Sequence, residues 1–152
     1  VSSITSFAEG FDIGVINGAV VLFRKDLELT GRGVGVVLAI FPVAVSLSAP
    51  LAGSASDIIG RKPTLMLSNL FLIIGGLVMA TATSFEAMTL GRIVAGSGVG
   101  IGITVVTTYM SEIAPDRDRG FYGSLEELFV SVGMVCAYMA NVVLLGVPED
   151  WR

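Results

Sequence analysis

The stretch PTLMLSNLFLIIGGLVMATATSF, residues 63–85, contains no charged side chain. At a rise of about 1.5 Å per residue, a helix of that length crosses the roughly 30 Å hydrocarbon layer of a bilayer. Working outward, residues 33–56, 93–111 and 128–148 are uncharged in the same way. Residues 1–23 make a fifth such run if it tolerates Glu9 and Asp12. Polar connections at 24–32, 57–62, 84–86 and 112–120 separate the runs. The spacing predicts membrane-spanning helices over about 1–23, 33–56, 63–85, 87–111 and 121–146. The apolar runs are continuous, whereas barrel strands alternate apolar and polar residues over roughly ten positions, so helices are expected rather than a barrel.

Composition supports lipid as the solvent. Of 152 residues 53% are hydrophobic and 14% charged, and the mean hydropathy is +0.84. A soluble domain carries about 25% charged residues, enough to cover its surface. The net charge of -4 excludes a binder of nucleic-acid backbone, which needs clustered Lys and Arg. Cys136 is the single cysteine and histidine is absent, so no intrachain disulfide and no multi-cysteine metal site can form. Cys136 is expected to serve packing. Without histidine, a nucleophile–base pair or a metal cluster, the chain is not expected to be an enzyme, and no cofactor is called for. The chain opens at Val1 and closes on Trp151 and Arg152, which reads as a piece of a longer protein. The first run lacks a basic leader and is expected to be a true span rather than a signal peptide.

Local signals place the helix ends. Pro63 suits a first helical turn, Thr83 with Glu86 fits a capping box, and Pro115 marks the close of the fourth helix. Pro42 and Pro50 fall inside the second run, where kinks are expected. Gly14 with Gly18, and the series Gly96, Gly98, Gly100 and Gly102, permit close helix contact. The segment GSGVGIG follows no strand and opens no helix, so it is not a dinucleotide fingerprint. Basic residues do not settle the orientation. Arg61, Lys62, Arg117 and Arg119 fall on one side, and Arg24, Lys25, Arg32 and Arg152 on the other.

Charges inside the spans need a reason, because each costs about 2.5 to 3.5 kcal/mol at the bilayer centre on insertion scales. Glu9 and Asp12 are three residues apart and share a helix face, so both can turn toward one cavity. Asp12 lies roughly 16 Å from the loop at Arg24, near the middle of the membrane. Arg92 cannot release its proton and needs a carboxylate, and Asp12 is the candidate at similar depth. An acid that exchanges a proton against that pairing is what proton coupling requires. A permanent structural ion pair is the alternative. Glu126 reads as a solvated or interfacial charge. Glu127, Val130 and Met134 follow i, i+3, i+7 spacing and form a stripe that can face a cavity and meet substrate hydroxyls.

Four motifs occur in order at the span boundaries: GFDIGVINGA at 10–19, SDIIGRKP at 56–63, GRIVAGSGVGIG from Gly91, and YMSEIAPDRDRG at 109–120. With them the chain resembles the sugar porters of the major facilitator superfamily over nearly its whole length. RGFYGSLEELFVSVG, from Arg119, is similar to the plant-type polyol and monosaccharide proton symporters. The resemblance implies an all-α membrane protein of twelve helices in two six-helix halves, with a central cavity and alternating access. Residues 1–152 would then be a partial N-terminal half of about five helices, with helix six and the C-terminal half, its partner, outside them.

Residue by residue, the resemblance makes Asp12 the proton-coupling carboxylate and Arg92 its partner. It places Glu127, Val130 and Met134 at sugar-contacting positions. The family often has Gln where Glu127 stands, and the plant-type members can have Glu. Asp57, Arg61, Glu112 and Arg119 match a cytoplasmic charge network that latches the outward-open state, which puts that end of the bundle in the cytoplasm. Glu9 departs from the family, where an aromatic or small neutral residue precedes the aspartate by three. A carboxylate there is expected to touch the substrate or alter coupling.

The function expected is secondary transport of a monosaccharide or polyol by proton symport, with protons as coupling ion. One proton crossing about 100 mV gives roughly 2.3 kcal/mol and one pH unit about 1.4, together sustaining a gradient of several hundredfold. A facilitative uniporter and a non-transporting sugar sensor are the alternatives. The expected partners are the substrate and the lipid bilayer, with no nucleic acid. The protein is expected to be multi-pass in the plasma membrane, with an organellar membrane as the alternative.

Overall fold

The computed structural model describes residues 2–26, 31–115 and 118–145. They form five helices: α1 (Ser2–Asp26), α2 (Gly31–Ile59), α3 (Arg61–Ala80), α4 (Phe85–Ile113) and α5 (Arg119–Leu145). By length and composition α2, α3, α4 and most of α5 can each cross a membrane. Two acids interrupt the apolar run of α1, and both turn toward other helices. The chain is an all-α membrane protein.

Helix α4 is the centre of the bundle. Both α2 and α3 pack along it, while α1 packs chiefly on α5 and touches α3 and α4. Glycines make this possible: Gly96, Gly98, Gly100 and Gly102 are all buried. A side chain on Gly96 would meet the Phe41 carbonyl, and one on Gly98 the Ser68 carbonyl. Lipid gives no hydrophobic push between helices, so close backbone approach and dispersion supply the attraction. The α1–α5 contact uses the same device. A Cβ on Gly10 would strike the Val130 carbonyl, one on Gly14 the Ala137 side chain, and one on Gly133 the Phe7 carbonyl. Asn141, buried on α5, donates to the Gly14 carbonyl at 3.1 Å and the Val15 carbonyl at 3.3 Å.

Helix ends differ in detail from the expectation. Ser84, not Thr83, caps α4, its hydroxyl accepting from the Ala87 N–H at 3.2 Å. Glu86 therefore stands in the first turn, one position early for a capping box. Gly60 joins α2 to α3 at φ 100°, where a Cβ would be strained. Pro42 and Pro50 both lie within a single continuous α2. Cys136, expected to pack, is exposed, because α5 turns Gly133, Ala137 and Asn141 toward α1 instead. Leu47, Leu51, Ile58, Met139 and Val142 are exposed too, an apolar exterior suited to lipid or further helices.

Candidate functional site: a membrane-embedded ion pair

Two polar clusters are built into this framework, one inside the bundle and one at its end. In the inner cluster, α1 presents Asp12 to α4, and Arg92 Nη1 donates to Asp12 Oδ2 at 3.1 Å. The side chain of Arg92 is 2% exposed and that of Asp12 16%, so the cation is sealed and the acid keeps an opening. Helix α2 supplies the third wall, with the Phe41 ring centroid 4.4 Å from the guanidinium carbon. Met79 of α3 adds its sulfur 3.9 Å from Nη1. Arg92 Nε has no hydrogen-bond partner among the described residues. The guanidinium is thus held by one carboxylate oxygen and an aromatic face, a looser grip than a two-pronged Arg–carboxylate pair.

At the other end of the bundle, Arg61 opens α3 beside the close of α4. It donates to Glu112 through Nη2 at 2.7 Å and Nε at 3.2 Å. It also pairs with Asp57 at 2.7 Å and donates to the Ser56 hydroxyl. Three elements are tied together there by one guanidinium. The side chain of Arg119, the fourth residue expected in this network, lies outside the described residues.

The residues expected to meet substrate separate. Val130 and Met134 are half-buried, and their backbones lie against Gly10 and Gly14 of α1. Glu127 is exposed on the neighbouring face of α5. Glu9 is 3% exposed and turns into the junction of α1 with α3 and α4 rather than sharing Asp12's opening. Glu126, read as a solvated charge, is half-buried and within electrostatic reach of Glu9, because the side of α5 that meets α1 includes it. Phe41 and Met79 were not legible as site residues. Each meets Arg92 across a gap in sequence that no spacing rule covers.

The sequence profile of the "Sugar (and other) transporter" family matches residues 1–152. The chain belongs to the sugar transporter family. Among the sugar porters similar to it, the glucose transporter GlcP of Staphylococcus epidermidis is 34% identical over 143 residues, covering 94% of this chain and 32% of that protein. Polyol transporter 5 of Arabidopsis thaliana is 30% identical over 153 residues, covering 99% and 28%. The chain therefore spans about a third or less of the length of these relatives. Of solved structures, the major facilitator proton:xylose symporter XylE, bound to 6-bromo-6-deoxy-D-glucose, superposes with a TM-score of 0.89 at 20% identity. That match covers 98% of this chain and 37% of XylE, and it confirms the major facilitator fold. The relatives are transporters, in keeping with the expectation that this porter is not an enzyme.

Proposed function

We propose that this chain is the N-terminal part of a proton-coupled carrier of a monosaccharide or polyol, working by alternating access. The observation that supports it most is the single-point bond between Asp12 and Arg92. The acid is reachable and titratable, whereas the arginine stays charged and sealed. When Asp12 binds a proton its charge is lost, and Arg92 is left to the Phe41 ring and Met79. That change in balance is what can link proton binding to helix movement. The relatives that carry glucose and polyols support a polyhydroxylated cargo. The fold shared with XylE, a proton:xylose symporter, supports protons as the coupling ion.

In this reading Glu127, exposed on α5, accepts hydrogen bonds from the sugar's hydroxyls, and the half-buried Val130 and Met134 on the adjoining face add apolar contact. Arg61, Asp57, Glu112 and Arg119 form the cytoplasmic latch, whose counterparts belong to the rest of the carrier. The carrier sits in the plasma membrane. The test uses the full-length protein in sealed vesicles with a proton gradient. Asp12→Asn is expected to abolish uphill accumulation of sugar while leaving sugar–sugar exchange intact. Undiminished accumulation in that variant would refute coupling at Asp12 and favour a facilitator whose ion pair is structural.

A further inference from the structure

Glu9 is a carboxyl group that the Asp12–Arg92 pair does not use. It is 3% exposed, and its Oε1 is buried with no hydrogen-bond partner among the described residues. It projects to the spot beside Gly102 of α4 that a Cβ would fill, where the Ser68 hydroxyl and the Thr5 methyl also converge. Gly102 is therefore the residue that makes room for it.

The neighbouring donors are committed elsewhere. Ser68 Oγ donates to the Gly98 carbonyl at 2.9 Å. Asn69 Nδ2 donates to Thr5 Oγ1 and to the Leu65 carbonyl, both at 2.9 Å. Charge offers no relief either. From α5 the facing group is Glu126, a second acid, with Glu127 exposed beside it. On α1 itself Asp12 is one turn away and bonded to Arg92. On α4 the nearest cation is that same Arg92, ten positions from Gly102 and so about 15 Å along the helix. From α3 the contacting side chains are uncharged, and Arg61 at its start is engaged by Asp57 and Glu112.

An ionised carboxylate in such a place is an unpaired charge out of water, which costs several kcal/mol, whereas the neutral acid costs what an imperfectly satisfied hydroxyl does. Oε1 is out of contact with solvent, and among the described residues no cluster of acids could hold a metal. A proton is the ligand that needs no room.

The geometry points to Glu9 as a second proton-binding site of this carrier, loaded while α1 is packed on α3 and α4 and emptied when that junction opens. Along α4, Gly102 lies on the Glu112 side of Arg92, so Glu9 stands between Asp12 and the Arg61 network. No covalent chemistry is involved beyond proton exchange: the O–H bond of the acid breaks, and the proton leaves to water or to Asp12. The assignment of Glu9 as a proton site stands on its own surroundings, and only its place in the transport cycle rests on the symport reading above.

Infrared spectroscopy of the purified full-length protein over a pH series tests it, with wild type, Asp12→Asn, Glu9→Gln and Glu126→Gln compared. A protonated-carboxyl band is expected at neutral pH in wild type and in Asp12→Asn, and is expected to be missing in Glu9→Gln. Glu126→Gln removes the opposing negative charge, so the band should disappear at a lower pH than in wild type. A Glu9→Gln spectrum identical to wild type, or a band that vanishes with Asp12→Asn instead, would overturn the proposal. If Glu9→Gln does not fold, the Glu126→Gln shift decides, and an unshifted titration overturns the proposal. Symport itself fails separately, through undiminished accumulation in Asp12→Asn, with the Glu9 band still present.

Discussion

Removing either partner of the Asp12–Arg92 pair should destabilise the carrier, but only one of the two losses should depend on pH. Asp12→Asn leaves a guanidinium that is 2% exposed, already lacks a partner at Nε, and cannot release its proton. Breaking a buried pair in this way costs about 3 to 5 kcal/mol. The partial exposure of Asp12 at 16% places the cost near the lower bound, about 3 kcal/mol. Because guanidinium stays charged throughout, this site gives the variant's own stability no pH dependence between pH 5 and pH 7. Arg92→Met keeps the volume and removes the charge, leaving an acid that can shed its own charge by taking a proton. At pH 7 that proton is costly, since the ordinary aspartate titrates near 3.9, and each unit of acidification returns about 1.4 kcal/mol. The sign follows from the folded state binding the extra proton, so stability must rise as pH falls. Between pH 7 and pH 5 the Arg92→Met defect should shrink by up to about 2.7 kcal/mol. The double variant Asp12→Asn with Arg92→Met has no buried charge and should recover most of the loss. Thermal unfolding of the intact carrier in detergent at both pH values measures all three. Equal pH dependence in the two single variants, or additive losses in the double, would refute a buried, charge-carrying pair.

Packing and substrate contact give further expectations. Gly10→Ala and Gly133→Ala push a methyl into the Val130 and Phe7 carbonyls, and each should cost about 1 to 3 kcal/mol in thermal unfolding. Gly76→Ala has nothing within 4 Å to meet and should be neutral or stabilise by up to about 1 kcal/mol from helix propensity. The reverse order would contradict the close α1–α5 contact. Glu127→Gln keeps the shape but removes a charged acceptor, so the KM for sugar should rise about tenfold, the equivalent of roughly 1.4 kcal/mol, with accumulation still coupled to protons. An unchanged KM would remove Glu127 from the groups that touch the substrate.

The sequence made some of this legible and hid the rest for physical reasons. Long uncharged runs announce helices, since no other open structure satisfies the backbone in lipid. An acid and an arginine at matching depth announce each other, because neither is tolerable alone. Both signals depend only on length, composition and position along one axis. What a side chain meets sideways depends on how helices are rotated and crossed. That is why Phe41 and Met79 around Arg92, and the Asn141 bonds to α1, had no signature in spacing. Glu9 illustrates the limit: its three-residue spacing from Asp12 gave a shared face. Yet Gly102 and Ser68, contributed by two other helices, turn Glu9 away into a closed junction. Ser84 displaced Thr83 as the cap of α4 by one residue, the ordinary uncertainty of a helix end.

Proton movement on sugar addition is the most direct measurement. The full-length carrier is placed in vesicles with no initial gradient, and external pH is followed after an outside pulse of sugar or polyol. Symport through Asp12 predicts alkalinisation outside that scales with sugar uptake and is absent in Asp12→Asn. Sugar uptake with no change in external pH would contradict it.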